Sequence, residues 1–308
     1  MGLQSNVFLR VSSCSSWFAN RNCKSGLKPA TYVHSRKVTM VDLEFLGNLA
    51  VEAGKAILEV YETDFGVERK EDDSPITLAD RRSHQLIAGE LTRRYPTIPV
   101  LSEEGKEVPY AVRRNWDRFW LVDPLDGTKE FVKRNGEFTV NIALTEGRRP
   151  SAGIIYIPVH RRLVVAEVGR GCWEIRDGKK LELHVDRPAP GSSVRLVKSR
   201  SHASANLEAL LEVLPPCEVV KRGSALKFCA VAAGEADFYP RFGPTWEWDT
   251  AAGQAIVEAS GGVVVDFRGH PFVYNKPNLI NGPFLVASSL AWLQETGVLE
   301  RVSSLEPV

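Results

Sequence analysis

The sequence has few cysteines, no long apolar run and no repeat. Its five cysteines are an odd number, and no two of them have the C-x-x-C spacing. This usage argues against a disulfide framework or a cysteine-ligated zinc site, and it indicates reduced thiols in a reducing compartment. No apolar stretch approaches the length of a membrane span, so no transmembrane segment is expected. A Gly-rich dinucleotide-binding motif and an internal repeat are also missing.

The sequence also lacks an excess of one charge sign. Its 308 residues include 39 Lys and Arg and 38 Asp and Glu, which gives a formal net charge of +1. Residues 1–39 hold six of the basic residues and none of the acidic ones, so the remainder has 33 basic and 38 acidic residues. A body with this balance does not indicate nucleic-acid binding. The length allows one large domain or two intimate ones.

The first 40 residues differ in composition from the rest of the chain. They are rich in Ser, Arg and Asn, and they lack the continuous apolar centre of a secretory signal. This composition is typical of an organellar transit peptide, for example a mitochondrial one. The alternative is that translation starts at Met40, which would leave residues 1–39 disordered or misassigned and the protein cytoplasmic. Both alternatives leave the chemistry of the remaining chain unchanged.

Apolar periodicity predicts helices and strands in the first half. Residues 41–65 have helical spacing, and a second helix is expected from residue 81. Residues 99–102 and 119–122 read as short buried strands. Alternating runs separated by turn residues follow between residues 139 and 175, and they predict an antiparallel meander.

Strands and helices alternate in the second half. Residues 183–194, which contain two prolines and a glycine, are the most linker-like segment, and we place a boundary between subdomains at residue 185. The strands and helices that follow predict a mixed α/β layer. The expected fold class is therefore α/β in the broad sense, with the mixture of segregated and alternating elements that is also called α+β.

Two carboxylates stand at the end of one predicted strand. Residues 120–128 read WLVDPLDGT, with Asp123 and Asp126 directly after the apolar run. Both acids cannot be buried there without a cation. Gly127 allows a ligand to approach the backbone, and the amides of Gly127 and Thr128 are donors for a phosphate. Together these features indicate metal-assisted phosphoryl chemistry, although D-G alone would also fit an ordinary turn.

Further acids follow or precede other elements. Glu103 and Glu104 come after a predicted strand, as Asp123 does. A shared cation site would need two strand ends that each present acids, although adjacent acids are also common on surfaces. Asp80 and Asp249 each precede a predicted helix. As helix N-caps these two residues would need no catalytic function.

Four separated motifs resemble those of the inositol monophosphatase superfamily of lithium-sensitive, magnesium-dependent phosphatases. They are T-x-x-D at residues 77–80, S-E-E at 102–104, D-P-L-D-G-T at 123–128 and W-D-T-A-A-G at 248–253. They occur in the family's order and at plausible separations. The resemblance implies a layered αβαβα sandwich of the inositol monophosphatase and fructose-1,6-bisphosphatase type. It also implies metals where a first subdomain (41–185) meets a second (186–308).

Three further stretches resemble the 3′(2′),5′-bisphosphate nucleotidases of this superfamily, the CysQ type. They are GTKEFVKRNGEFTVNIAL from residue 127, SRSH at 199–202 and GSALKFC at 223–229. The resemblance implies hydrolysis of the 3′-phosphate of the small-molecule nucleotide adenosine 3′,5′-bisphosphate to give AMP, with its 5′-phosphosulfate analogue as a further candidate substrate. The alternatives are a phosphatase of the same superfamily acting on inositol phosphates, and a non-catalytic nucleotide- or metal-binding scaffold. The oligomeric state, monomer or homodimer, is left open.

The resemblance also assigns roles to individual residues. Two or three Mg²⁺ ions are implied, because Mg²⁺ prefers carboxylate and carbonyl oxygens. Their ligands would be Glu103, Asp123, the Leu125 carbonyl, Asp126 and Asp249. Asp80 and Thr128, with Glu103, would orient and deprotonate the attacking water. The residues implied in substrate binding are Gly127, Thr128, Ser201, His202, Ser224, Lys227, Arg241 and Asp249. The alternatives for Lys227 and His202 are a surface lysine and a turn residue.

Overall fold

A computed structural model of the chain describes most of residues 41–308. The described ranges are 41–63, 67–69, 75–188, 193–201, 205–214 and 217–305. Residues 1–40 and His202 therefore lie outside the described residues. Among the described helices, none combines the length and apolar character needed to cross a bilayer.

The described residues form nine helices and sixteen strands. Those of the first half are α1 (Leu43–Tyr61), β1 (Val67–Arg69), β2 (Pro75–Thr77), α2 (Leu78–Arg94), β3 (Val100–Ser102), α3 (Tyr110–Arg113), β4 (Arg118–Asp126), α4 (Thr128–Val132), β5 (Thr139–Glu146), β6 (Arg149–Ile157), β7 (Arg162–Glu167), β8 (Gly171–Arg176) and β9 (Lys179–Glu182). Those of the second half are β10 (Val194–Ser199), α5 (Ala205–Val213), β11 (Cys217–Arg222), α6 (Leu226–Ala232), β12 (Phe238–Arg241), β13 (Thr245–Trp246), α7 (Glu247–Ala259), β14 (Val263–Asp266), β15 (Ile280–Asn281), β16 (Phe284–Ala287), α8 (Leu290–Glu295) and α9 (Val298–Ser303).

Two large sheets organise the structure. The first has seven strands in the order β3-β4-β5-β6-β7-β8-β9. Only β3 and β4 pair in parallel there, and the remaining strands form the predicted antiparallel meander. The second sheet has five strands in the order β11-β10-β12-β16-β14, with both parallel and antiparallel pairs. The mixed layer expected in the second half is therefore confirmed.

Three apolar clusters define the layers. One joins α1 and α2 to one face of the seven-stranded sheet. A second lies between that sheet and the five-stranded sheet and includes α6 and α7. The third joins the far face of the five-stranded sheet to α5, α8 and α9. The order helix, sheet, helix, sheet, helix confirms the αβαβα sandwich.

Helix α7 lies directly against strand β6. A Cβ atom on Gly153 of β6 would stand 2.4 Å from the carbonyl oxygen of Ala252 in α7. Interior contacts this close have no space for a larger side chain, because protein cores are packed as densely as crystals. Helix α7 belongs to the second half of the chain but packs on the sheet of the first half. The proposed subdomain boundary at residue 185 falls between β9 and β10 and stays a prediction.

Several elements differ from the sequence-based expectation. The first helix ends at Tyr61 rather than at residue 65. Strand β4 continues beyond residue 122 to Asp126, and its pairing register with β5 shifts between Asp123 and Asp126. This irregularity lets a strand contain Pro124, because proline lacks a backbone donor. The short helix α4 and strand β12 were not predicted, since five and four residues are too few for a periodic pattern to repeat clearly.

Candidate active site

Carboxylates from three elements converge at one end of the seven-stranded sheet. Glu103 follows β3, Asp123 lies in β4, and Asp249 lies in the first turn of α7. One side-chain oxygen from each of these residues lies within 4.8 Å of those of the other two. Oxygen ligands at this spacing suit a hard divalent cation such as Mg²⁺.

Charge repulsion within this cluster affects the protonation of its members. Burial, followed by the charges of Glu103, Asp126, Asp249 and Asp80, raises the pKa of the Asp123 carboxyl well above its ordinary value. The pKa of Asp249 is likewise raised by burial and then by Asp126 and Glu103. The structure therefore brings Glu103, Asp123 and Asp249 together and places Asp80 and Asp126 close enough for their charges to act on Asp123, which accounts for five of the six acids that the sequence had singled out. A bound cation would compensate their repulsion.

Backbone contacts fix the orientation of two of these acids. The Leu125 amide donates to Oδ1 of Asp123 over 3.1 Å. The Trp246 amide donates to Oδ2 of Asp249 over 2.8 Å. The N-cap of α7 is Trp246, and Asp249 is the third residue of the helix, so the interpretation of Asp249 as the N-cap is wrong. Asp80 is also inside its helix, as the third residue of α2, and it is 2% exposed.

Asp126 connects the acid cluster to polar residues of both halves. Its Oδ2 accepts from Thr139 and Asn141, each over 3.4 Å. Its backbone oxygen accepts from the Ser224 hydroxyl over 2.9 Å. Burial raises the pKa of the Asp126 carboxyl, and the positive charge of Lys227 partly offsets this rise.

Gly127 makes the turn between β4 and α4 in a left-handed conformation. Its φ is +90°, and a Cβ atom there would stand 1.9 Å from Oγ of Ser224. Only glycine meets both conditions without strain. Helix α4 then begins at Thr128. The close neighbour of Gly127 in the structure is the Ser224 side chain. The approach of a ligand to Gly127 and the phosphate contacts of Gly127 and Thr128 stay predictions.

A cavity of about 230 Å³ adjoins the acid cluster. Its described lining residues are Asp126, Gly127, Glu130, Ser199, Ser224, Lys227, Phe228, Tyr239, Arg241, Thr245, Asp249, Thr250 and Phe284. Six of the residues predicted from sequence are among them. The cavity lining thus combines the acids Asp126 and Asp249 with two basic side chains, Lys227 and Arg241.

Lys227 is a buried cation rather than a surface lysine. It is 6% exposed, and its ammonium donates to the carbonyl oxygen of Ser224 over 2.5 Å. Burial lowers the pKa of Lys227 to about 8, although the nearby Asp126 opposes this change. The Arg241 side chain donates to the carbonyl oxygens of Gly243 and Pro244, each over 3.1 Å. These bonds hold its guanidinium at the cavity.

Other predicted site residues lie outside the cavity or outside the described residues. Ser201 is described but does not line the cavity, and its hydroxyl lies 3.5 Å from the Lys133 ammonium. His202 falls outside the described ranges. Leu125 is buried, and the predicted role of its carbonyl as a metal ligand stays a prediction.

Sequence reasoning missed two buried glutamates near the cavity. Glu130 lines it, and Glu137 accepts hydrogen bonds from Arg200 and from the Gly223 amide. Glu130 follows the D-G-T motif by two residues, and that short spacing is the signal that could have identified it. The partners of Glu137 lie more than sixty residues away, so no local pattern indicates them.

Comparison with known proteins agrees with this geometry. The profile of the inositol monophosphatase family matches residues 41–304. The chain is 46% identical over 247 residues, 79% of this chain and 98% of the other, to the 3′(2′),5′-bisphosphate nucleotidase CysQ of Salmonella typhimurium. It superposes on the crystal structure of CysQ from Bacteroides thetaiotaomicron with a TM-score of 0.68 and 42% identity, covering 78% of this chain and 94% of the other. The Thermotoga maritima inositol monophosphatase shares the fold, with a TM-score of 0.71 at 24% identity, covering 85% of this chain and 97% of the other. The chain belongs to the inositol monophosphatase family.

Proposed function

We propose that the protein is a Mg²⁺-dependent 3′(2′),5′-bisphosphate nucleotidase. It hydrolyses the 3′-phosphate of adenosine 3′,5′-bisphosphate to AMP and inorganic phosphate, and the 5′-phosphosulfate analogue is a further candidate substrate. The observation that carries this proposal is the composition of one cavity. Two acids, Asp126 and Asp249, line the cavity together with two basic residues, Lys227 and Arg241. A substrate with two separate anionic groups fits such a wall better than one with a single phosphate.

The donor set supports magnesium as the metal. The cluster of Glu103, Asp123 and Asp249 offers carboxylate oxygens only, which is the chemistry that Mg²⁺ prefers. We assign Glu103, Asp123 and the Leu125 carbonyl to one ion, and Asp123, Asp126 and Asp249 to a second, with a weaker third ion near Glu103. When bound, the ions neutralise charge on the phosphate and lower the pKa of a bound water. Li⁺ and Ca²⁺ are expected inhibitors.

The chain's own residues then position the reactants. Asp80 and Thr128, assisted by Glu103, orient the attacking water and take up its proton. The amides of Gly127 and Thr128 hold the scissile phosphate, and the left-handed turn at Gly127 supports this role. Holding the water and the phosphoester together in one orientation removes a large part of the barrier.

The second anionic group is recognised by the basic residues that line the cavity. The Lys227 ammonium has further donors beyond its bond to Ser224, and the Arg241 guanidinium lies in the same wall. We assign the 5′-phosphate to these two cations. Ser224, Ser201 and His202 are assigned to the adenosine and its phosphate, and these roles rest on the sequence resemblance.

Substrate turnover tests the proposal. Phosphate release from adenosine 3′,5′-bisphosphate and from inositol 1-phosphate is compared at equal Mg²⁺ concentration. We expect kcat/KM to favour the nucleotide by more than about tenfold, which corresponds to roughly 1.4 kcal/mol of transition-state stabilisation. A preference of that size for the inositol ester would replace the nucleotidase assignment with an inositol phosphatase.

Two variants test the alternative of a non-catalytic scaffold. Asp126→Asn and Asp80→Asn each remove one charge without changing the size of the side chain. We expect both to lose phosphate release while keeping the cooperative unfolding of the parent protein. Full activity in either variant would show that the assigned role is wrong.

The compartment stays a prediction with two alternatives. The protein is cytoplasmic if translation starts at Met40, and mitochondrial or located in another organelle if residues 1–39 act as a transit peptide. Mass spectrometry of the mature N-terminus distinguishes them.

A further inference from the structure

Glu130 is a buried carboxylate whose presence in the cavity needs a reason. It is the third residue of α4, it is 4% exposed, and its side chain lines the cavity. A Cβ atom added to Gly223 would stand 2.9 Å from Cγ of Glu130, so the side chain is confined on that side. A buried ionised carboxylate is destabilising unless donors surround it.

The described residues supply no such donor. None of them donates a hydrogen bond to the Glu130 carboxylate or forms an ion pair with it. Lys227 and Arg200 are close enough for their charges to interact with Glu130, but their described hydrogen bonds go to the Ser224 carbonyl and to Glu137. Glu130 is still close enough to act on its neighbours. The pKa of the Asp126 carboxyl is raised by burial and also by the charge of Glu130.

A carboxylate in a cavity for a polyanion repels the substrate unless it meets a donor on that substrate. An adenosine bisphosphate offers two kinds of donor, the free ribose hydroxyl and the exocyclic amine of the base. The hydroxyl is attached to the carbon next to the one that carries the scissile phosphate. Gly127, whose amide is assigned to that phosphate, lies three residues before Glu130 at the start of α4. Both residues line the cavity and are separated by about one helical turn, which rises only about 5.4 Å, and this favours the hydroxyl over the distant amine.

We propose that Glu130 accepts a hydrogen bond from the ribose hydroxyl adjacent to the scissile phosphate, and thereby selects ribonucleotides over deoxyribonucleotides. This inference rests on the proposed nucleotidase function. Glu130 is then a specificity-determining residue. The hydroxyl of a ribonucleotide donates a hydrogen bond to its carboxylate in the transition state, whereas a deoxyribonucleotide leaves this carboxylate without a donor. A site built to bond a substrate hydroxyl discriminates strongly against an analogue without it.

The test measures one ratio in several variants of the full chain. The ratio is kcat/KM for adenosine 3′,5′-bisphosphate divided by kcat/KM for 2′-deoxyadenosine 3′,5′-bisphosphate, both with Mg²⁺. We expect the unmodified protein to favour the ribonucleotide by about tenfold or more, as for a hydrogen bond to a charged group. In Glu130→Gln the ratio falls severalfold, and in Glu130→Ala it approaches one.

A matched control is Glu137→Gln, which changes a buried glutamate of the same region that does not line the cavity. It lowers turnover of both substrates alike and leaves the ratio unchanged. Unfolding curves of all variants show whether each protein is folded during the assay. Inosine 3′,5′-bisphosphate, which lacks the exocyclic amine, serves as a third substrate.

The outcomes separate this inference from the proposed function. An unmodified protein that hydrolyses neither adenosine substrate refutes the nucleotidase function and the role of Glu130 with it. Turnover of the ribonucleotide with an equal ratio in the parent and in Glu130→Gln refutes the role of Glu130 alone. A change confined to the adenosine-to-inosine ratio would assign Glu130 to the amine and overturn the proposal. The same holds if Glu130→Gln only raises the Mg²⁺ requirement equally for both nucleotides.

Discussion

Glu137 and Arg200 form a two-bond ion pair that joins the two halves of the chain at the cavity. Nε and Nη2 of Arg200 donate to the two carboxylate oxygens of Glu137 over 2.6 and 2.7 Å. The Gly223 amide donates to the same carboxylate over 2.7 Å. Burial opposes the charge on Glu137, but these hydrogen bonds outweigh it and hold the pKa of the carboxyl below its ordinary value. The pair therefore positions the two segments that carry Ser199 and Ser224.

The first prediction concerns this pair. We expect Arg200→Met to lower the free energy of unfolding by about 1–3 kcal/mol, because a buried carboxylate loses its charged partner. The double variant Glu137→Gln/Arg200→Met loses less than the sum of the two single variants. Urea denaturation at pH 7 measures all four proteins. Strictly additive losses would show that the pair is not coupled.

The pair also makes stability depend on pH. Because the pKa of Glu137 is lowered in the folded protein, its contribution is present above the pKa of an unfolded glutamate, about 4.3. This contribution is lost as pH falls through the lower folded pKa. The difference in unfolding free energy between the parent and Glu137→Gln should therefore shrink below about pH 4.

The second prediction concerns metal binding. Saturating Mg²⁺ should raise the melting temperature, since a ligand present at a hundred times its Kd stabilises the folded state by about 2.7 kcal/mol. Asp249→Asn should abolish most of this rise. Without metal the same variant should be at least as stable as the parent, because it removes a carboxylate charge that burial, and then repulsion by Asp126 and Glu103, disfavour. Differential scanning calorimetry with Mg²⁺ and with a chelator measures both effects. A Mg²⁺-dependent rise of equal size in the variant would contradict the assigned ligand.

The third prediction concerns Lys227 and the second phosphate. Burial lowers the pKa of Lys227 to about 8, so its ammonium is charged below that pH and neutral above it. We expect kcat/KM for adenosine 3′,5′-bisphosphate to fall above about pH 8, and to fall much less for adenosine 3′-monophosphate. Lys227→Met should lower kcat/KM for the bisphosphate by about 10- to 100-fold at pH 7 and remove its alkaline fall.

A control for this variant is Lys198→Met. Lys198 forms an ion pair with Glu208 and does not line the cavity. It should leave the preference for the bisphosphate intact. An alkaline fall that persists in Lys227→Met would assign the titration to another group.

The fourth prediction separates crowding from backbone strain at Gly127. Gly127 and Gly169 have similar φ angles, +90° and +85°, but only a Cβ on Gly127 would meet a neighbour within 4 Å. Both alanine variants carry the strain of a left-handed residue, on the order of 1 kcal/mol. Gly127→Ala should in addition displace Ser224 and lower phosphate release by more than about tenfold. Gly169→Ala should retain the activity of the parent, and equal activities in the two variants would refute the role of the close contact.

Local patterns in the sequence predicted much of the fold. The helical spacing of Leu46, Ala50 and Ile57 predicted α1, since these residues form one buried face. Alternation predicted the meander, and the resemblance supplied the layer order. Strand β4 was predicted too short, because Pro124 normally ends a strand and the register shift that accommodates it depends on pairing with β5.

The site was predicted only where its residues belong to short motifs. Glu103, Asp123 and Asp249 were found in this way, and the structure brings them together. The roles of Glu130 and Glu137 depend on partners or empty space contributed by distant segments. Tertiary structure creates such relationships. The short spacing of Glu130 from the D-G-T motif is a local signal, whereas no local pattern indicates the partners of Glu137.

The contact between Gly153 and α7 gives this chemistry a rigid frame. Asp249 is carried by a helix whose backbone rests on the sheet that contains Asp123 and Asp126. The direct contact between the backbones of α7 and β6 therefore fixes the separation of these carboxylates, and it leaves little freedom for a hinge motion between them. Discrimination among small phosphoesters then depends on a preformed cavity, whose shape and charge are the same before and after the substrate binds.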